Sequence, residues 1–178
     1  MRIFIGFPLP LNIVQGLKSE LNHMVPMISK GQFISDYNIH LTLLFIGELN
    51  EMEVDLLYDT LLDAFNNYQS FDISYHEIDA FIRQTKHLLY AGIIPSPSLD
   101  QLNSCVKTAV IKLNIPYDDK PFFPHVTLLR NGYLRCQFKK IVFSKPYTHK
   151  VSEICIYHSH LHQEKLTYTP LKTIALKK

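Results

Sequence analysis

Two short segments constrain this chain more than anything else in it. Asn38-Ile39-His40-Leu41-Thr42-Leu43-Leu44-Phe45-Ile46 is a strand-like run interrupted only by a histidine and a threonine, and the same His-x-Thr-Leu core returns 85 residues later in Pro124-His125-Val126-Thr127-Leu128-Leu129-Arg130. Side chains alternate across a strand, so His40 and Thr42 share one face while Leu41 and Leu43 share the other; His125 and Thr127 repeat the arrangement. One face of each strand is built to pack and the other is free to react. With nine histidines in the chain, a single His-x-Thr-Leu is expected by chance roughly 0.06 times, and a pair is roughly a one in 500 event. The alternative, two unrelated hydrogen-bonded strand histidines, needs that coincidence.

The residue types fit proton transfer. Imidazole is the side chain whose ordinary pKa of about 6.5 lets it take and give a proton near neutrality, and a neighbouring threonine offers a stiff hydroxyl that donates to an anionic oxygen. Two such pairs facing each other would flank one phosphate ester.

Around these strands the chain alternates sheet and helix. Arg2 to Phe7 reads as a buried strand ended by Pro8 and Pro10. Leu11, Val14, Leu17, Leu21 and Met24 have helical spacing. Gln32 to Ile34 reads as a short strand. Asn50 with Glu53 predicts a capping box opening a helix to about Asn67. Phe71 to Ile78 and His87 to Ile94 form neighbouring strands across a polar turn, Ser98 is the expected cap of a third helix over Leu99 to Leu113, and Val151 to His160 with Leu166 to Leu176 predicts a closing hairpin. Tyr133 to Phe143 is ambiguous. Both halves run helix, His-x-Thr strand, then further sheet, as a duplicated unit does.

At 178 residues the chain fits one domain, or two small lobes on a common core. Cys105, Cys136 and Cys155 are odd in number and widely spaced, which favours reduced thiols and a cytoplasmic protein. No run approaches the roughly 18 apolar residues of a membrane span, and the apolar N-terminal stretch is too short for a signal segment. The net charge of +2 argues against a generally basic nucleic-acid surface, so any RNA contact is expected to be local. A monomer is the expected state.

The chain resembles the two-histidine phosphoesterases, and within them is similar to the RNA 2',3'-cyclic phosphodiesterases, historically called 2'-5' RNA ligases. The likeness rests on the Arg-Ile-Phe-Ile-Gly opening strand, on Asn38 to Leu43 with Phe45-Ile46-Gly47-Glu48, on Leu89-Tyr90-Ala91-Gly92, on Pro121 to Leu128 with Arg130, and on the late Ser159 and Tyr168. The resemblance implies an α+β fold in which residues 1–178 form a single bilobal domain: two pseudo-symmetric lobes with antiparallel sheets flanked by helices, enclosing a central cleft.

It also implies the chemistry, opening of a 2',3'-cyclic phosphate at an RNA 3' end or on a nucleoside to leave a 2'-phosphate, without metal or cofactor. In that scheme His40 is the proton donor and His125 the proton acceptor, although the sequence does not fix which does which. Thr42, Thr127 and Arg130 would hold the phosphate, and Phe45, Phe123 and Tyr168 could stack on a base. Strict alternation puts Arg130 on the face opposite His125, so it reaches phosphate only where the strand bends. His158, His160 and His162 invite a zinc reading, but a strand spreads them by about 6 to 7 Å per step, which favours a solvated row at the cleft edge. Two other functions fit the motif pair: a phosphodiesterase acting on another small nucleotide or an ADP-ribose cyclic phosphate, and an RNA-end-binding protein without catalysis.

Overall fold

The two His-x-Thr strands lie in different sheets. The computed structural model describes residues 1–178, and its elements in order are β1 (Arg2–Pro8), α1 (Leu11–Asn22), β2 (Ile28–Phe33), β3 (His40–Glu48), α2 (Glu51–Phe65), β4 (Phe71–Arg83), β5 (Lys86–Ile93), α3 (Pro97–Lys112), β6 (His125–Leu134), β7 (Ile141–Val151), β8 (Glu153–His162) and β9 (Lys165–Ala175). The first sheet has the order β3-β1-β8-β9 and the second β2-β6-β5-β4-β7. Every pairing within them is antiparallel.

Neither sheet is one half of the sequence. The C-terminal hairpin β8–β9 returns to complete the sheet that β1 begins, while β2, from the N-terminal half, pairs with β6. The helices cross as well: α2 and α3 pack by the first sheet, and α1 packs on β7 of the second. That last contact is close because Gly16 has no side chain; a Cβ there would lie 2.3 Å from the Tyr147 ring. The Tyr147 hydroxyl then donates to Glu20 Oε1 at 2.9 Å.

One contiguous core joins all of this, running from Ile5 and Leu17 through Leu41, Leu57 and Ile78 to Val106, Val126 and Ile174. Burying each such side chain contributes about 1.5–3 kcal/mol, so the lobes are held by a common interior. The fold is α+β, two antiparallel sheets flanked by three helices. No helix is long and apolar enough to cross a membrane.

Local signals set several boundaries. The capping box is present: Glu53 N–H donates to Asn50 Oδ1 at 3.0 Å and Asn50 N–H to Glu53 Oε2 at 2.8 Å, a motif whose cap alone is worth about 0.5–2 kcal/mol. The cap of α3 is Ser96, not Ser98. Its hydroxyl accepts from Leu99 N–H while Pro97 takes the first helical position, where a missing N–H costs nothing. The first helix stops at Asn22, and β2 begins four residues before the expected Gln32. The ambiguous stretch and the residues after it resolve into the end of β6 and an edge strand, β7. Pro146 masks it in the sequence but is tolerated because the pairing with β4 is offset around it.

Candidate active site

Each catalytic-type histidine opens its strand and is fixed by its own backbone. His40 Nδ1–H donates to the Asn38 carbonyl at 2.7 Å, and His125 Nδ1–H donates to the Phe123 carbonyl at 2.7 Å. A carbonyl can only accept, so both neutral rings carry the proton on Nδ1 and leave a lone pair on Nε2. His40 Nε2 lies 3.0 Å from Thr42 Oγ1, whereas His125 Nε2 has no protein partner. Asn38 is itself clamped: its side chain donates to the Leu166 carbonyl at 2.7 Å and accepts from Tyr168 N–H at 3.1 Å. The strand β9 therefore braces the carbonyl that orients His40.

The same irregularity follows both motifs. In the first sheet Ile5 pairs with Leu44 and the next residue, Gly6, with Thr42, which leaves Leu43 as an extra residue. In the second, Tyr90 pairs with Thr127 and Leu89 with Leu129, which leaves Leu128 as the extra one. Two consecutive leucines go inward in each strand, and the alternation restarts on the other foot. The expectation that Arg130 faces away from His125 is thus corrected: the bulge returns it to the histidine side, and its charge acts on both His40 and His125. Phe45 is returned in the same way after His40 and Thr42.

Both bulges are anchored. Asn103 of α3 donates from its buried amide to the Leu43 carbonyl at 2.7 Å, and Ile34 N–H donates to the Leu128 carbonyl at 3.0 Å. Opposite the first bulge, Gly6 admits the approach of β3, since a Cβ there would meet the Leu41 carbonyl oxygen at 2.3 Å.

Each imidazole stands in a wall of aromatic rings. Around His40 are Phe4 and Tyr168, both at 4.9 Å between centroids, and Tyr157 at 5.9 Å. Around His125 are Phe81 and Tyr90, both at 5.4 Å, and Phe123 at 5.9 Å. Burial is the main reason that His40 is pushed down to about 4, with the charges of Arg130 and His125 adding and the Asn38 bond opposing. Burial also lowers His125, again opposed by its carbonyl partner and reinforced by Arg130. With both imidazoles lowered from their ordinary value, the neutral form of each dominates at pH 7, and a bound anion would favour the imidazolium.

The lobes meet at a pocket of about 240 Å³ that Thr42 and Phe45 line from one side and Phe123 and His125 from the other. Asp118 N–H bonds the Phe45 carbonyl at 3.0 Å, so the loop before β6 is strapped across the cleft to β3. Phe45 and Phe123 are half exposed and available to a planar ligand, whereas Tyr168 is more enclosed and walls His40. Thr127 is half-buried beside Tyr90.

The histidine row is not at the cleft edge. Cys155 and Tyr157 of β8 face the Phe4 cluster, and Ile154 and Ile156 face the main core. His158 and His160 continue the second set, stacked on each other at 4.8 Å on the side away from His40. His160 Nε2 is engaged by Thr169 Oγ1 at 2.9 Å, and no group of three or more His, Cys, Asp or Glu side chains is arranged around an ion.

Sequence reasoning missed Phe4, Tyr157, Phe81, Tyr90 and Asn103. The available signal lay in β1, where Ile3, Ile5 and Phe7 are core while Phe4 belongs to the cleft cluster. An apolar run that is core on one face and an aromatic wall beside His40 on the other carries only weak alternation to read.

Residues 30–163 match the model of the 2'-5' RNA ligase superfamily. The chain is 27% identical over 177 residues to the RNA 2',3'-cyclic phosphodiesterase of Escherichia coli (strain K12), covering 98% of this chain and 96% of that protein. It is 28% identical over 132 residues to the enzyme of the same name from Bacillus subtilis (strain 168), covering 71% and 69%. Among solved structures, E. coli LigT in apo form superposes with a TM-score of 0.80 at 27% identity, covering 99% of this chain and 98% of that one. LigT has also been solved with 3'-AMP and with phosphate. With one residue of each motif, Thr42 and His125, lining the same pocket and this match over most of its length, the chain belongs to the 2'-5' RNA ligase superfamily.

Proposed function

We propose that this protein hydrolyses a 2',3'-cyclic phosphate at an RNA 3' end to a 2'-phosphate, by paired-histidine acid–base catalysis and without a metal ion. The observation that carries the reading is the pair of Nδ1-anchored imidazoles, one opening a strand in each sheet, with Thr42 and His125 lining one pocket between the sheets and the charge of Arg130 acting on both rings. Relatives named as RNA 2',3'-cyclic phosphodiesterases support the substrate class.

In this mechanism water attacks phosphorus in line with the departing 3' oxygen. His125, the more open of the two rings, takes the proton of the attacking water on Nε2. The P–O3' bond breaks as the phosphorus–water oxygen bond forms. His40, more enclosed and a strong acid once protonated, delivers its Nε2 proton to O3', giving a 3'-hydroxyl and a 2'-phosphate. Each transfer contributes about 10²- to 10⁴-fold in rate. Arg130 and the two threonine hydroxyls hold the non-bridging oxygens, where donors fixed in advance favour charge that grows in the transition state. Phe45 and Phe123 offer faces for the terminal base. The protein acts as a monomer in the cytoplasm, in keeping with three free cysteines.

The test is incubation with an RNA ending in a 2',3'-cyclic phosphate in the presence of EDTA. A 2'-phosphate product is expected, and its loss by at least about 10²-fold in His40→Ala and in His125→Ala. Tight binding of that RNA with no product from the unaltered protein would overturn the reading in favour of an end-binding protein, and a preference for an ADP-ribose cyclic phosphate would change the substrate.

A further inference from the structure

Beside the cleft lies a second, larger concavity of about 1180 Å³, bounded by the β4–β5 hairpin, β6 and the loop that precedes β6. Arg83, Lys86, His87, Lys120 and Arg130 line it, with Phe81 at its inner end, and no carboxylate is among its lining residues. Arg83, Lys86 and Arg130 take part in none of the molecule's ion pairs, and Lys120 alone is matched, by Asp118 at 2.7 Å. On a chain whose net charge is only +2, this is a local concentration of uncompensated positive charge.

The groove is continuous with the cleft. Lys120 lines both this concavity and the pocket that holds Thr42 and His125. Phe81 lines the groove and packs its ring 5.4 Å from that of His125. Arg130 borders the groove while its charge acts on His40 and His125. The groove is larger than the roughly 300–1,000 Å³ of an ordinary small-molecule site. It also offers exposed apolar surface, with Phe81 40% and Ile82 56% exposed, next to its cations. Cations that track phosphates beside aromatic faces that stack bases are the physical combination that binds a single strand without reading its sequence.

We propose that this groove binds the phosphodiester backbone of single-stranded RNA upstream of the reacting end, with Arg83 and Lys86 contacting phosphates outside the cleft. The direction follows from chemistry. A terminal cyclic phosphate uses both the 2' and 3' oxygens of its ribose, so the remaining chain leaves only through the 5' side. The protein therefore distinguishes an RNA end from a free cyclic nucleotide by charge outside the reacting centre. This inference rests on the proposed activity for its polarity, but the groove's affinity for RNA is measurable without turnover.

The experiment compares the unaltered protein with R83A/K86A and with the charge-conserving R83K/K86R on two substrates, a mononucleoside 2',3'-cyclic phosphate and an oligoribonucleotide of about six residues ending in the same group. Salt is varied from about 50 to 200 mM. In parallel, fluorescence anisotropy measures binding of a labelled, 3'-phosphorylated oligoribonucleotide. Both residues are at an exposed hairpin end, and thermal melting verifies that the variants fold. Expected are a kcat/KM on the oligonucleotide that falls several-fold in R83A/K86A, a kcat/KM on the mononucleotide that does not change, and a log–log salt slope for oligonucleotide binding that is shallower by about 1.4 for the two lost contacts. R83K/K86R retains the steep slope. Equal losses on both substrates, or unchanged oligonucleotide affinity and slope, overturn the groove. If neither substrate is turned over by the unaltered protein but R83A/K86A still weakens RNA binding, the proposed activity fails and the groove stands.

Discussion

Phe45 and Arg130 occupy equivalent places in the two lobes, each three residues after a motif threonine and each returned to the histidine-bearing face of its strand by a one-residue bulge at Leu43 or Leu128. The scaffold is near-symmetric there and the side chains are not: one lobe presents a ring, the other a guanidinium. A phosphate with a base on one side is asymmetric in the same sense.

That relationship separates the two roles. Arg130→Ala is expected to lower kcat by about 10²- to 10³-fold, as loss of a transition-state donor does. Arg130→Lys should restore little, because a point charge does not replace a planar fork. Phe45→Ala should instead raise KM about tenfold, the effect of one lost stacking contact, and leave kcat nearly unchanged. Steady-state kinetics on one cyclic-phosphate oligonucleotide reads all three, and a kcat defect in Phe45→Ala would contradict the division.

The direction of proton flow can be read from the leaving group. A substrate with sulfur in place of the bridging 3' oxygen departs as a thiolate and needs no proton. His40→Ala should recover most of its lost turnover on it, and His125→Ala should not. Recovery by His125→Ala alone would exchange the two assignments.

The pH dependence of kcat/KM follows from two depressed imidazoles. The working form needs one ring protonated and the other neutral, and in the free enzyme His40 lies at about 4 while His125 lies below its ordinary 6.5. The profile should be a bell with its maximum on the acid side of 6.5, falling about tenfold per pH unit toward alkali. The kcat profile should be displaced upward, because the bound phosphate anion favours the imidazolium. A flat kcat/KM between pH 6 and 8 would contradict a two-histidine mechanism in this electrostatic setting.

His149 makes a separate prediction about stability. It is buried with neither ring nitrogen hydrogen-bonded, stacked on Tyr75 at 5.7 Å, and burial lowers it to about 4 against the opposing charge of Asp72. Its neutral form is the native one. Stability is therefore complete above the unfolded value of about 6.5 and is lost as the pH falls from there toward 4, because the unfolded chain binds the proton first. Discounted for partial solvent screening, the loss is about 2 kcal/mol at pH 4. Urea melts at pH 7 and pH 4.5 should show it, and His149→Phe should shrink the difference between them, leaving the share of His40.

Much of the site was legible from local pattern. The His-x-Thr pair, the strand that carries each copy and the Asn50–Glu53 cap all depend on residues close in sequence, where alternation and capping are enforced by covalent geometry. Arg130 was found by resemblance, yet alternation alone placed it on the wrong face. A bulge depends on what pairs with the strand: Gly6 gives the first room, the backbone of Ile34 and the side chain of Asn103 satisfy the freed carbonyls, and none of the three is near the motif it serves.

What the sequence by itself determined is the chemistry available: two imidazoles, two hydroxyls and one guanidinium on strands with a packing face and a reacting face. What only the tertiary structure decided is their meeting. The β8–β9 hairpin returns to the sheet of β1, and α1 and α3 cross between the lobes. The bulges turn Phe45 and Arg130 onto the faces that carry the histidines, and burial lowers the proton affinity of both imidazoles. These follow from long-range pairing and burial, which are properties of the assembled core and not of any one segment.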